Sequence, residues 1–151
     1  MDVYSIALFV HIVGALLLFV LLTIEGLALR FGFAAAPMSR ILGPISGLAI
    51  LIPGVYMMAT QWGWAAWVVV GITTWVLIAA VGAYTGITVM RGAMSSGVAT
   101  MSWLIRIGMA LGVLFEMTVK PGLVLSIVSV IVGVGLGAAA GAVRRRLVPS
   151  I

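Results

Sequence analysis

Five side chains in this sequence could carry a charge inside an otherwise apolar chain: His11, Glu25, Arg106, Glu116 and Lys120. Ionisable groups are costly in hydrocarbon, so they normally face a bundle interior, paired, and are functional candidates by default. Their spacing sorts them. His11 and Glu25 are 14 residues apart, close to four turns at about 3.6 residues per turn, which puts them on one helical face. Glu116 and Lys120 are one turn apart in the stretch MALGVLFEMTVKPG and share a face as well. They can neutralise one another or turn towards His11. The bland account is an ordinary one: Lys120 snorkels to the membrane surface, Glu116 satisfies it, and Glu25 with Arg106 clamps two helices.

No catalytic residue stands out. The sequence contains no HExxH, phosphate loop or Cys/His metal set, and GPISG reads as helix packing. It has no cysteine at all, which excludes disulfides and thiol chemistry. No metal site is expected. A single histidine rules out bis-histidine haem ligation within one chain. Histidine with methionine is the remaining option, and Met57, Met58 and Met117 are the candidates as cofactor ligands beside His11. Methionines in so apolar a chain are more often packing residues.

The elements that position these groups follow from composition. Of 151 residues, 64% are hydrophobic and 7% charged, against about a quarter charged in a soluble domain. Mean hydropathy is +1.36. Spans of about 20 apolar residues cross a bilayer, and breaks in the apolar runs predict five helices, near 4–29, 41–60, 64–90, 101–119 and 122–143. The expectation is an all-α polytopic transmembrane helical bundle, a single domain over 1–151. The intervening segments are read as a linker from Arg30 to Arg40, a break at Gln61-Trp62-Gly63, a loop over 91–100, and a helix stop and restart at Lys120-Pro121-Gly122. Pro44 and Pro53 should kink the second helix. The N-terminal run lacks a basic lead and is too long for a signal peptide, so it reads as a retained first helix.

With five spans, the positive-inside rule places Arg30, Arg40, Arg91 and the cluster Arg144–Arg146 in the cytoplasm, and the N-terminus outside a bacterial inner membrane. The terminal arginines then anchor topology; nucleic-acid binding is not expected. Trp62, Trp64 and Trp67 fall at the outer interface. By depth, Glu25 pairs with Arg106 in the inner half, and His11, Glu116 and Lys120 form an outer set. Small residues recur every fourth position: Ser129, Gly133, Gly137 and Gly141, then Gly82 and Gly86, then Gly43 and Gly47. Such stripes let helices approach closely, within the chain or between copies in a homo-oligomer or larger membrane complex.

Three elements carry a resemblance. The early ALFVHIVGALLLF, the middle YMMATQWGW and the late RIGMALGVLFEMTVKPG together resemble a group of uncharacterised bacterial integral membrane proteins with L/V-H-I-x-G-A, Y-M-M-A-T-x-W-G-W and M-T-V-K-P elements. More distantly, the early histidine and V-K-P resemble the J-type protoporphyrinogen oxidases and the copper-resistance D-type membrane proteins. The oxidase resemblance implies a role for His11 in binding haem b and matches Lys120 to the lysine of V-K-P. The asparagine-glutamate-proline pattern preceding V-K-P in those oxidases is missing here. Three functions are therefore open: a redox-linked membrane protein with haem b near His11, a non-catalytic accessory subunit, and a small proton-linked carrier using Glu25, Arg106 and Glu116. Whether the protein is an enzyme is not decided by these residues.

Overall fold

The structure, a computed structural model, describes residues 2–147, with side chains described through Arg144. Five helices account for nearly all of it: α1 (Val3–Phe31), α2 (Ala36–Met57), α3 (Ala66–Met90), α4 (Ser96–Val119) and α5 (Leu123–Leu147), with a π-helical turn, Met58–Trp62, extending α2. All five are long and apolar enough to cross a bilayer. The protein is a small all-α integral membrane protein.

Helix ends follow local chemistry. Asp2 caps α1, its Oδ1 accepting the Ser5 N–H at 2.7 Å, a bond that holds this exposed carboxyl below its usual range. The expected linker from Arg30 to Arg40 is mostly helix. Only the residues after Phe31 and before Ala36 lie outside, because Pro37 falls in the first turn of α2, where its missing N–H costs nothing. The expected loop over 91–100 is likewise shorter. Ser95 accepts the Val98 N–H at 3.4 Å and starts α4 at Ser96. At the other end of α2 the chain widens into the π turn and closes with Gly63 N–H on the Met58 carbonyl at 2.7 Å. Gly63 then takes φ 55°, ψ −150°, a conformation open to glycine alone. The stop at Lys120-Pro121-Gly122 is present: α4 ends at Val119 and α5 begins at Leu123.

α4 is the hub. It packs broadly on α5 and α3 and more narrowly on α1, which lies along α2. Glycine sets how close the helices come. A Cβ on Gly108 would run into the Gly133 carbonyl, and one on Gly133 into that of Gly108. Gly137 meets the Leu104 carbonyl and Gly141 the Met101 sulfur, so the stripe on α5 is consumed against α4 within the chain. Gly14 plays the same part between α1 and α2, facing the Ala49 and Ile50 backbone. Leu22, Ile78, Met109 and Ala110 form the buried apolar centre where α1, α3 and α4 meet.

Candidate functional site

Glu25 and Arg106 are brought together from α1 and α4. Arg106 Nη2 lies 2.8 Å from Glu25 Oε2, with the side chains 6% and 18% exposed. The contact is an ion pair without an aligned hydrogen bond, since Glu25 Oε2 and Arg106 Nε both lack a hydrogen-bonding partner among the described residues. Gly82 of α3 makes room for the guanidinium: a Cβ there would come within 2.9 Å of Nη1. The charge pair is thus held between α1 and the bare backbone of α3.

Glu116 is fully buried, at 0% exposure. Its Oε1 accepts from the Ser129 hydroxyl of α5 at 3.3 Å, and its Oε2 has no partner among the described residues. On the far side is Gly71 of α3, where a Cβ would stand 3.5 Å from Oε2 and 2.9 Å from the Met117 methyl. Ser129 has one hydrogen and a nearer acceptor, the Ser126 carbonyl at 2.7 Å. The carboxyl is therefore under-satisfied on both oxygens. Neither Ser129 nor Gly71 stands out in the sequence as a partner of Glu116; a hydroxyl heading the small-residue stripe is the available signal for the former.

The expected pairing of Glu116 with Lys120 does not form. Lys120 adopts a left-handed conformation, φ 52°, as it caps α4 with its N–H on the Glu116 carbonyl. It leaves the helical phase there and swings off the face of Glu116. Its ammonium instead lies 3.9 Å from the Trp62 ring centroid and 5.9 Å from that of Trp67. The two indoles meet edge-to-face at 5.3 Å, and Trp62 Nε1 donates to the Tyr4 hydroxyl at 3.2 Å. One end of the bundle is thereby closed by an aromatic and cationic cluster.

His11 does not join Glu116 either. Half-buried on α1, it donates from Nδ1 to the Ile50 carbonyl of α2 at 2.8 Å. Gly54 supplies the space, since a Cβ there would be 3.3 Å from the ring. Pro53, inside α2, has no N–H for the Ala49 carbonyl one residue before Ile50. Equal depth is a reason to compare His11 and Glu116, but their partners differ: α2 for the histidine, α3 and α5 for the carboxyl. The candidate methionines are similarly divided. Met57 is buried three residues beyond Gly54 on α2, near the face that meets His11; Met58 opens the π turn; Met117 turns to Gly71.

A haem b beside His11 would need one ring nitrogen free for iron. With Nδ1 donating to a backbone carbonyl, Nε2 is the nitrogen available to iron, an arrangement common in metal-binding histidines. Two grooves, one lined by Arg30, Trp103 and Arg144 and the other by Ser96, Thr100 and Arg144, do not include His11. No family model matches the chain, and comparisons with curated proteins and with solved structures find no match.

Proposed function

We propose that the protein is a small proton-linked carrier in which Glu116 takes up and releases the proton. One observation carries this reading: a carboxyl at 0% exposure with one oxygen unpartnered and no cation against it among the described residues. A buried carboxylate without a counter-charge is strongly penalised, and a proton is the smallest counter-charge that can reach it. The site lies one turn, about 6 Å, inside the α4 end marked by Lys120, so the path from the membrane surface is short. Ser129, with its hydrogen committed to Ser126, can accept from a protonated Glu116. The Glu25–Arg106 pair is a second ionisable station on the same helix, about 15 Å away along the axis. Of the stripes behind the accessory-subunit reading, that on α5 is occupied by α4, while Gly86 on α3 meets nothing within 4 Å.

The test uses vesicles containing the purified protein, a trapped pH dye, and an imposed potential with potassium and valinomycin. Wild-type vesicles should change internal pH faster than empty vesicles, and Glu116→Gln, similar in shape but unable to ionise, should return the rate to the empty-vesicle value. Equal rates for wild type and Glu116→Gln reject the reading. A redox-linked alternative rests on the His11 Nδ1–Ile50 bond, which leaves Nε2 free for iron. A Soret band from the purified protein, lost in His11→Ala, would favour it over the carrier.

A further inference from the structure

The end of the bundle opposite Trp62 and Trp67 holds an unused charge pattern. The chain has three acidic residues. Asp2 caps α1, Glu116 is buried, and Glu25 is taken by Arg106. No carboxylate side chain is left for Arg30, Arg40 and Arg144. Arg40 does reach a partner, the Met90 sulfur at 3.3 Å, and Arg30 leans on the Phe31 ring. Arg30 and Arg144, from α1 and α5, both line a groove of about 430 Å³. Its floor is Trp103 of α4, packed against Gly26, where a Cβ would strike the indole. The indole is pinned by its Nε1 donating to the Leu22 carbonyl at 2.6 Å. A smaller groove of about 170 Å³ continues past Arg144 to Ser96 and Thr100.

We propose that this groove binds one anionic phospholipid, its phosphate held between Arg30 and Arg144 and its first methylenes on the Trp103 floor. The chemistry selects this occupant. Two guanidiniums without carboxylates match a phosphate, since arginine is suited to forked phosphate contacts. The groove opens at the end of apolar spans, where a headgroup meets the acyl region, and its floor is aromatic rather than charged. Arginines near a membrane surface contribute to anionic-lipid binding additively. The site is independent of Glu116, which lies towards the other end of α4.

Thermal unfolding of the chain in neutral detergent, titrated with short-chain phosphatidylglycerol, phosphatidylcholine or inorganic phosphate, tests the assignment. Phosphatidylglycerol should raise the midpoint saturably, and the other two should not. Arg30→Gln and Arg144→Gln should each weaken the apparent affinity about fivefold, while Arg40→Gln, at the same end with the same charge loss, should leave it unchanged. An equal response to phosphatidylcholine, an equal response to free phosphate, or an equal loss in Arg40→Gln overturns the groove as a lipid site. Native mass spectrometry of the wild type gives a measurement that needs no variant: one phosphatidylglycerol retained per chain is expected, and none retained overturns it.

Discussion

Glu25 and Glu116 are the same side chain in the same solvent, and their neighbours separate them. Arg106 stands 2.8 Å from the first, and only a serine hydroxyl reaches the second. For the first, pairing makes a specific prediction. Removing either partner leaves the other charge buried, at a cost of about 3 kcal/mol. Glu25→Gln and Arg106→Gln should each lower stability by about that much in unfolding titrations with SDS in mixed micelles. The double variant should cost less than the sum by at least about 1 kcal/mol; strict additivity would mean that the pair is not coupled. His11 and Lys120 illustrate a different lesson. A shared depth and a shared face are both legible in the sequence, but Lys120 leaves the face of Glu116 when the chain turns left-handed at the helix end. A shared face requires a helix continuing through Lys120, whereas the stop at Lys120-Pro121-Gly122 ends α4 at Val119.

At the scale of elements, glycine placement divides into contacts that must stay bare and positions that need not. Gly108 faces the Gly133 carbonyl, so Gly108→Ala should force α4 and α5 apart and destabilise by roughly 1–3 kcal/mol, the range for overpacking. Gly86, where an added methyl would meet nothing within 4 Å, is the control: Gly86→Ala should be neutral or stabilising by up to about 1 kcal/mol. Comparable losses for the two, measured in the same SDS titrations, would show that the α4–α5 approach is not sterically limited by glycine. The fourfold repeat on α5 is visible as a pattern, but its partner is not, since a small-residue stripe serves a neighbouring helix and a second copy equally well. Helix starts are the least legible feature of the elements. α4 begins at Ser96 rather than near 101, because a polar, small-residue segment that looks like loop is compatible with a capped first turn.

For the whole molecule, the arrangement of arginines makes the orientation testable. Arg30, Arg40 and Arg144 gather at one end, and Tyr4, Trp62, Trp67 and Lys120 at the other. The positive-inside rule assigns the arginine end to the cytoplasm. A C-terminal reporter that is active only outside the cytoplasm should stay silent, and the same reporter fused at the N-terminus should be active; the reverse result would invert the topology. Sequence alone determined the solvent, the all-α class and the five apolar helices, since these depend on local composition and on stretches that must each cross about 30 Å of hydrocarbon. It also placed Glu25 and Arg106 at one level, because depth along a span is a count of residues. What only the tertiary structure decided was rotation and neighbour: which helix Glu116 faces, which carbonyl holds His11, where the Lys120 ammonium lands, and that Trp103 floors a groove lined by two arginines. Those depend on how helices pack around α4, through contacts between residues as far apart in the chain as Leu22 and Trp103, and no local pattern encodes them.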